Sequence, residues 1–257
     1  MKNSSKHLLV PISGTNNSQF DIICFPHAGG SASTFRGWAE FIPPDISCVA
    51  VQLPGREARF TEKPLTDLDE AIKMIGEALA VRNSSNARQM VFYGHSFGAL
   101  LAFETTRWLM EQGQVTPVSL VVAARRAPDK ALNRTPLHVL NHDEFVVEIE
   151  AIGGVPKGIL ANEKLVRFFL KTLRSDIAMN DTYVLKNAQA VECPITAMCG
   201  LDDPLAGPSD MVGWHHFSNS ASSRVVVFEG GHFFPEQHLS QLISVLVGLF
   251  GPECVIE

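Results

Sequence analysis

A serine between two glycines is the first feature of this chain with chemical meaning. In the stretch "FYGHSFGALLAF", residues 92 to 103, Gly94 precedes Ser96 by two positions and Gly98 follows it by two. A backbone that turns sharply between a strand and a helix leaves room only for hydrogen at the flanking positions. The spacing G-x-S-x-G is typical of such a turn, the nucleophile elbow, which exposes the serine hydroxyl for attack. The alternative is a tight glycine turn that carries a solvated serine.

The residues on both sides of Ser96 fit this turn. Before it, "RQMVFYG" contains a continuous apolar run, which predicts a short buried strand. After it, apolar residues recur at helical spacing from Phe97 to Leu109, and Gly113 is a suitable helix end. The sequence therefore predicts a strand, a sharp turn at Ser96 and a helix.

A serine hydroxyl is a useful nucleophile only beside a base that accepts its proton and an acid that orients the base. We expect His232 to be the base, because "FEGGHFFPE" follows the last strand-like run and precedes the C-terminal helical pattern. Gly230 and Gly231 supply a loop that can bring the imidazole over the sheet. Other downstream histidines are interpreted as surface or packing residues: His138, His142, His215 and His216.

The acid is expected in "AMCGLDDPLAGP", which follows a strand-like run and can meet the histidine loop of the next strand. Asp202 and Asp203 both lie in this stretch. The third residue after the glycine that ends such a strand usually points into the site, which favours Asp203. Asp202 is then a solvated loop carboxylate. In the simplest alternative, both aspartates only terminate the strand.

Acyl transfer places negative charge on a carbonyl oxygen, which two backbone N–H groups can stabilise. One donor is expected at Phe97, directly after the serine. We assign the second to Ala28 in "CFPHAGGSASTF", because its small residues permit a close approach of backbone to ligand. The alternative is that this segment is an ordinary glycine turn.

These residues require a scaffold, and the chain contains strand-like apolar runs with helical patterns between them. Most of the runs are continuous, as in strands that are covered on both faces of a parallel sheet. One helical stripe begins behind a cap at Thr66 or Asp67, and another lies near the C-terminus. The pattern predicts an α/β fold, with a mostly parallel central sheet flanked by helices. The runs are residues 20–25, 47–53, 89–93, 119–124, 194–199 and 224–229.

One stretch, residues 125–190, contains no convincing strand. It consists of amphipathic segments around the loop "GGVPKG". We interpret it as a helical lid insertion within a single domain, residues 1–257, because such an insertion lies over the strand ends where α/β sheets keep their active sites. The alternative is a helical subdomain that only adds bulk.

The composition argues against several classes of function. The formal charge is −6 without a long basic run, so no nucleic-acid partner is expected. The N-terminal stretch is polar and the apolar stretches are short, which predicts neither a signal peptide nor a membrane span. The five cysteines form no C-x-x-C pair, and compact histidine spacings typical of zinc sites are absent. We therefore expect free thiols in a cytoplasmic protein without a metal.

The chain resembles the type II thioesterases, the stand-alone α/β-hydrolases that accompany nonribosomal peptide and polyketide synthases. The resemblance runs from about residue 20 to residue 250. G-H-S-x-G is shared by many hydrolases, whereas "PHAGG" with "LPGRE" and "GGHFF" is more specific. The matching motifs, in family order and approximate spacing, are "FPHAGGSASTFRGW", "VQLPGREARF", "YGHSFGALLAFE", "ARRAP", "LRSDI", "CGLDDPL" and "GGHFF".

The resemblance implies roles for five residues. Ser96 matches the family nucleophile, Asp203 the acid and His232 the base, while the Ala28 and Phe97 amides match the oxyanion donors. Residues 125–190 match a mobile helical lid over the acyl channel. Many members have methionine where this chain has Phe97, and a larger ring that narrows the pocket leaves the preferred acyl length open.

The resemblance also implies a substrate and a partner. The expected reaction is hydrolysis of acyl thioesters on the phosphopantetheine arm of acyl or peptidyl carrier proteins, which removes stalled or aberrant acyl groups without a cofactor. We expect a monomer with no membrane partner. The alternatives are a product-releasing thioesterase, an esterase or acyltransferase acting on a small ester or coenzyme A thioester, and a catalytically silent fold used for binding.

The stretch "LPGRE" has two interpretations. Structurally, it is a strand that ends in a Pro-Gly turn with solvated charges. Functionally, Arg56 and Arg59 are candidates for contact with an acidic carrier protein or with its phosphopantetheine phosphate.

Overall fold

A mostly parallel sheet organises this chain. The computed structural model describes residues 7–15, 17–86, 88–131, 134–153 and 163–251. Within these residues, seven strands form one sheet in the order β1-β3-β2-β4-β5-β6-β7. Neighbouring strands are parallel except β1 and β3, which are antiparallel. The strands are β1 (Leu9–Ser13), β2 (Phe20–Phe25), β3 (Ile46–Val51), β4 (Gln89–His95), β5 (Ser119–Ala123), β6 (Ile195–Gly200) and β7 (Arg224–Phe228).

The six predicted strands are confirmed, and each observed end lies within about two residues of the predicted one. The sequence did not predict β1. This strand lies at the edge of the sheet and contains Pro11, and its register with β3 is irregular between Pro11 and Ser13. Proline lacks the N–H that a central strand needs, so a short run that contains it gives a weak strand signal.

Helices follow most of the strands, as the alternating pattern predicted. The predicted cap of the first helix is Asp67, whose Oδ1 accepts a hydrogen bond from the N–H of Glu70 at 3.0 Å. A 3-10 helix over Ala32–Glu40 and another over Val212–Phe217 complete the layers. The α-helices in the described residues are α1 (Leu68–Asn86), α2 (Phe97–Glu111), α3 (His142–Ile152), α4 (Glu163–Asp181), α5 (Pro208–Met211) and α6 (Leu239–Gly248).

Two hydrophobic clusters cover opposite faces of the sheet. On β2, Ile23 and Phe25 belong to one cluster, and Ile22 and Cys24 belong to the other. This alternation follows from the two-residue period of a strand. Burial on both faces explains why the strands read as continuous apolar runs rather than as alternating patterns.

Between residues 125 and 190, the described part of the chain contains helices and loops and no strand, as the sequence predicted. It contains α3 and α4, and the predicted loop "GGVPKG" lies outside the described residues after Gly153. These helices share a small core of their own, and Ala28 packs against its edge. The core consists of Leu137, Phe145, Ile149, Leu170, Leu173 and Ile177.

Within the described residues, no helix is long and apolar enough to cross a membrane. Four cysteines are buried and unpaired, namely Cys24, Cys48, Cys193 and Cys199. Cys254 lies outside the described residues.

The junction between β4 and α2 is built on a close approach of two backbones. A Cβ on Gly98 would lie 2.0 Å from the carbonyl oxygen of Phe25, at the end of β2. A Cβ on Gly94 would lie 2.2 Å from the carbonyl oxygen of Gly98. Side-chain carbon cannot occupy either position unless the backbone moves. The two glycines that flank Ser96 therefore allow α2 to start directly against the end of β2.

We expect Gly98→Ala to lower the free energy of unfolding by about 3 kcal/mol or more, because the new methyl group overlaps a backbone carbonyl that cannot rotate away. The matched control is Gly248→Ala. No heavy atom lies within 4 Å of the Cβ position at Gly248, so this change is expected to be neutral or slightly stabilising. Urea denaturation of both variants measures the difference. Equal stability of the two variants would contradict the argument.

Candidate active site

Ser96 lies at the turn between β4 and α2 in a strained backbone conformation. Its φ of 55° and ψ of −115° are rare for a residue with a side chain. The N–H of Ser96 donates to the carbonyl oxygen of Ala123 at 2.8 Å, which ties the turn to the end of β5. The predicted sharp turn between strand and helix is thereby confirmed.

Ser96, His232 and Asp203 form a continuous hydrogen-bonded row. The Oγ of Ser96 lies 3.1 Å from Nε2 of His232. Nδ1 of the same imidazole lies 2.9 Å and 3.1 Å from the two carboxylate oxygens of Asp203. Asp203 and His232 are buried, at 6% exposure each. A carboxylate at Nδ1 holds the proton on that nitrogen and leaves Nε2 free to accept the hydroxyl proton of the serine.

The structure brings Asp203, and not Asp202, to His232. Asp202 is exposed, and its backbone N–H donates to the carbonyl oxygen of Gly230 at 2.9 Å. Asp203 also accepts a hydrogen bond from the N–H of Leu205 at 2.8 Å, which fixes its carboxylate. The third position after the strand-ending glycine thus carries the side chain that faces the imidazole.

Gly200 brings the acid loop and the histidine loop together. A Cβ at this position would lie 2.3 Å from the carbonyl oxygens of both Gly230 and Gly231. Because β6 and β7 are adjacent and parallel, their carboxyl ends meet at one edge of the sheet. Glycine at the end of β6 therefore allows the two loops to touch. This close contact of the two loops could not be predicted from the position of Gly200 in the sequence.

His95 holds the backbone of the histidine loop. Its Nε2 donates to the carbonyl oxygen of His232 at 2.8 Å, since a carbonyl can only accept. The His95 ring lies 5.4 Å from the Phe233 ring, in an edge-on arrangement. Burial lowers the pKa of His95 well below its ordinary value, and the nearby His232 and His27 lower it further. His95 is therefore neutral when it donates to the loop.

A second imidazole, that of the half-buried His27, lies on the same side. Its Nδ1 donates to the carbonyl oxygen of Ala28 at 2.9 Å. Burial lowers the pKa of His27, and this effect exceeds the opposing effect of the hydrogen bond to Ala28. His232 thus has two neutral imidazoles beside it rather than two cations. Sequence reasoning missed both residues because neither matched a spacing that indicates chemistry.

The loop that contains Ala28 is anchored to α4. The N–H of Gly29, which has a φ of 73°, donates to Oδ2 of Asp176 at 2.8 Å. The Arg56 guanidinium binds both oxygens of the same carboxylate, at 2.8 Å and 2.9 Å, and donates to the carbonyl oxygen of Gly30 at 2.9 Å. A buried bidentate ion pair with this many hydrogen bonds fixes the loop firmly.

Within the described residues, no hydrogen-bond acceptor is found for the N–H of Ala28. Phe97 is the first residue of α2, and the first N–H groups of a helix have no partner inside it. The loop of Ala28 follows β2, which is adjacent to β4. The two N–H groups predicted to bind an oxyanion therefore lie on neighbouring strand ends.

The strand and the turn expected for "LPGRE" are confirmed, since β3 ends at Val51 and Gly55 has a φ of 87°. The solvated arginines and their contact with a carrier are wrong. Arg56 and Arg59 are buried, at 7% and 2% exposure, so their charges are not solvated. Arg59 pairs with Glu62 at 2.7 Å and donates to the carbonyl oxygen of Gln52 at 3.0 Å. A guanidinium that is buried and fully engaged cannot receive an acidic carrier protein or a phosphate. Arg56 instead stabilises the loop of Ala28 through Gly30 and Asp176.

A small cavity of about 90 Å³ opens at Ser96 and His232. Its wall comes from the chain after β5, from Leu205 and Ala206 after β6, and from Asn180 of α4. The ring of Phe97 is buried in the core and does not line this cavity. The expected narrowing of the pocket by Phe97 is therefore not seen in this cavity.

The other histidines lie away from Ser96. His142, His215 and His216 are exposed, as predicted. His138 is half-buried, and its Nδ1 lies 3.2 Å from Asp181. Among the residues that the structure describes, no group of three or more His, Cys, Asp or Glu side chains is arranged to hold a metal ion.

We expect His95→Gln to reduce the rate at which the free energy of unfolding falls as the pH decreases. The folded-state pKa of His95 lies well below the value of about 6.5 in an unfolded chain. The unfolded state therefore takes up the proton first, and stability falls as the pH decreases below about 6.5, by up to about 1.4 kcal/mol per pH unit. Glutamine retains a donor for the His232 carbonyl but has no proton to gain.

The measurement is the free energy of unfolding in urea between pH 7.5 and pH 5, for the unchanged chain and for His95→Gln. The control is His216→Gln, which replaces an exposed histidine. It is expected to leave the slope of the free energy of unfolding against pH unchanged. If His95→Gln has the same slope as the unchanged chain, the buried neutral imidazole of His95 is not the cause of the loss of stability in acid.

Comparisons with known proteins identify the family of this chain. The thioesterase domain family matches residues 20–248. The gramicidin S biosynthesis protein GrsT of Aneurinibacillus migulanus is 32% identical over 225 residues, which cover 88% of this chain and 86% of GrsT.

Two solved structures are similar over nearly the whole chain. The type II thioesterase BorB from the borrelidin biosynthetic cluster superposes with a TM-score of 0.85 at 31% identity, covering 95% of this chain and 97% of BorB. RedJ, a thioesterase from the prodiginine pathway of Streptomyces coelicolor, superposes with a TM-score of 0.83 at 29% identity, covering 91% of this chain and 87% of RedJ. The chain therefore belongs to the thioesterase domain family and has the predicted α/β-hydrolase fold.

Proposed function

We propose that this protein is an editing thioesterase, which hydrolyses stalled or aberrant acyl groups from the phosphopantetheine arms of carrier proteins in polyketide or nonribosomal peptide biosynthesis. The observation that carries the proposal is the hydrogen bond of 3.1 Å between Ser96 Oγ and His232 Nε2 in a chain of the thioesterase family. BorB is a type II thioesterase, and GrsT is a protein of gramicidin S biosynthesis. Both relatives support the assignment to such pathways.

In the proposed first half-reaction, His232 Nε2 accepts the proton of Ser96, and Oγ attacks the thioester carbonyl. The N–H groups of Ala28 and Phe97 stabilise the oxyanion that forms. Asp203 stabilises the imidazolium through Nδ1. The carbon–sulfur bond then breaks, and the carrier thiol leaves with the proton of His232. An acyl group remains as an ester on Ser96.

In the second half-reaction, His232 accepts a proton from water, which attacks the acyl ester. Collapse of the second oxyanion releases the carboxylic acid and returns the proton to Ser96. A thiol has a pKa of about 8.5 and leaves more easily than an alcohol. The reaction therefore depends on activation of the two nucleophiles and on the oxyanion donors, rather than on acid catalysis of the leaving group.

The helical segment 125–190 is proposed to act as a lid over the acyl group. Two contacts support this role. Asn180 of α4 lines the Ser96 cavity, and Asp176 of α4 binds the N–H of Gly29. Movement of α4 would thus change both the cavity and the oxyanion loop. We expect a monomer that acts in the cytoplasm, where buried thiols such as Cys24 and Cys193 stay reduced.

We expect Ser96→Ala to lower the rate of thioester hydrolysis by about 10⁶-fold, because no other group can form the acyl ester. The assay uses acetyl, butyryl and octanoyl groups loaded on a carrier protein, with a simple ester for comparison. A fluorophosphonate probe checks the nucleophile directly, since it labels the unchanged chain but not the variant. Hydrolysis by Ser96→Ala at the parent rate would contradict the proposed role.

The paired aspartates allow a second test with a matched control. Asp203→Asn is expected to reduce kcat by about 10⁴-fold, because an amide at Nδ1 favours the wrong imidazole tautomer. Asp202→Asn makes the same chemical change on an exposed side chain and is expected to stay within about twofold of the parent. A larger loss in Asp202→Asn than in Asp203→Asn would reverse the assignment of the acid.

A further inference from the structure

The cavity at Ser96 has a strongly cationic wall. Among the described residues, its lining includes four cationic side chains from one short segment after β5: Arg125, Arg126, Lys130 and Arg134. None of the described residues that line the cavity is an Asp or a Glu. A concave site lined by one sign of charge attracts ligands of the opposite sign. The proposed chemistry with a neutral acyl group requires none of these cations.

Three of the four cations already have carboxylate partners. Arg126 pairs with Asp210 at 2.9 Å, Arg134 pairs with Asp181 at 2.9 Å, and Lys130 lies 3.4 Å from Asp129. The cationic side chains of these pairs are partly exposed, at 23% to 49%, and we take them as the outer part of the wall. Among the residues with a described structure, the ammonium group of Lys130 has only the long contact with Asp129, which makes it the least engaged of the three cations.

Arg125 differs from the other three. Its Nη1 donates to the amide oxygen of Asn180, a neutral group, and its guanidinium lies 5.9 Å from the ring centre of Tyr183. Its Nε is buried, and within the described residues it has no hydrogen-bond partner. A buried donor without an acceptor is costly and therefore rare. Arg125 also lines the cavity, so an anionic oxygen held there would lie beside a guanidinium whose hydrogen bonds are incomplete.

The backbone holds Arg125 at the cavity. Ala124, which also lines the cavity, has a positive φ of 52°, although it is not glycine. Strain of this kind persists only where the surroundings enforce it, and it concentrates at functional sites. The carbonyl oxygen of Arg125 accepts a hydrogen bond from Nε1 of the buried Trp214 at 2.7 Å. The position of this guanidinium is therefore set by the fold.

Burial has an electrostatic cost for this cation. It lowers the pKa of Arg125 to about 10, and the interactions with Tyr183, Asp181 and Glu104 offset only part of the effect. The group nevertheless remains charged at neutral pH. A partner that supplies negative charge would compensate for the lost solvation, as in other buried ion pairs.

We infer that this cationic wall binds an anionic group of the thioester substrate, with Arg125 as the residue that determines specificity. The inference rests on the proposed function. Two parts of such a substrate carry suitable oxygens, namely a carboxylate on the acyl group and the phosphate of the phosphopantetheine arm. The carboxylate of a short dicarboxylic acyl group lies a few bonds from the thioester carbonyl. The phosphate lies at the far end of the arm from the thiol.

Because the cavity is small, we expect the acyl carboxylate and the arm phosphate to meet different parts of its wall. A group that enters the cavity with its carbonyl at Ser96 brings a nearby carboxylate to Arg125. The phosphate of an extended arm reaches only the outer part, near Lys130. The carboxylate therefore depends mainly on Arg125, and the phosphate depends mainly on the outer cations.

The test compares three thioesters on the same protein samples: butyryl-pantetheine, which has no anionic group, succinyl-pantetheine, which adds a carboxylate, and butyryl-phosphopantetheine, which adds a phosphate. The readout is the ratio of kcat/KM for each charged substrate to kcat/KM for the neutral one. This ratio does not depend on the fraction of protein that is folded, so a poorly folding variant still reports on specificity.

We expect Arg125→Gln to lower the succinyl ratio by about tenfold or more, as the loss of a charge-assisted hydrogen bond does. Arg125→Lys keeps the charge and is expected to recover part of the ratio. Lys130→Gln is expected to lower the phosphopantetheine ratio by about two- to threefold. The control is Lys73→Gln, which removes an exposed cation from α1 and should leave both ratios unchanged.

The outcomes distinguish an acyl carboxylate from the arm phosphate, and they distinguish failure of this inference from failure of the proposed function. A fall in the succinyl ratio identifies an acyl carboxylate as the ligand, and a fall in the phosphopantetheine ratio identifies the arm. If neither ratio falls in Arg125→Gln or Lys130→Gln while butyryl-pantetheine is hydrolysed, the inference is wrong and the proposed function stands. If the unchanged chain hydrolyses none of the three thioesters, both proposals are wrong.

Discussion

The hydrogen bond between Ser96 and His232 depends on a strained backbone at the serine and on glycine at the two flanking positions. Ser96 has a φ of 55°, and α2 starts so close to β2 that only hydrogen fits at Gly94 and Gly98. The same constraint recurs at Gly200, where the acid and histidine loops touch. The site is therefore assembled by backbone contacts at the strand ends, and the side chains meet because these contacts fix their starting points.

The loop that contains Ala28 follows β2 of the sheet and is also bound to α4. Asp176 of α4 accepts from the N–H of Gly29, and Arg56 binds both that carboxylate and the carbonyl oxygen of Gly30. All these charges are buried, so removal of one partner would leave an unpaired charge in the protein interior. This geometry couples the loop of Ala28 to the helix above it.

Electrostatics differ between the two sides of His232. On one side, the half-buried His27 and the buried His95 are neutral, and their hydrogen bonds hold the backbone of the Ala28 and His232 loops. On the other side, the Ser96 cavity is lined by cations. The neutral side adds no like charge next to the imidazolium that forms during the proposed reaction, whereas the cationic side is suited to a substrate anion.

The sequence by itself determined the α/β fold, the turn at Ser96 and the loops of Asp203 and His232, because these depend on local patterns: apolar runs, glycine spacing and loop position after a strand. Tertiary structure alone decided the partners of Arg56, Arg59 and Arg125, and it alone revealed the edge strand β1. A charged side chain can be solvated, paired or left facing a cavity, and residues that are distant in the chain determine which. Asp176 follows Arg56 by 120 positions, and no local pattern contains that contact.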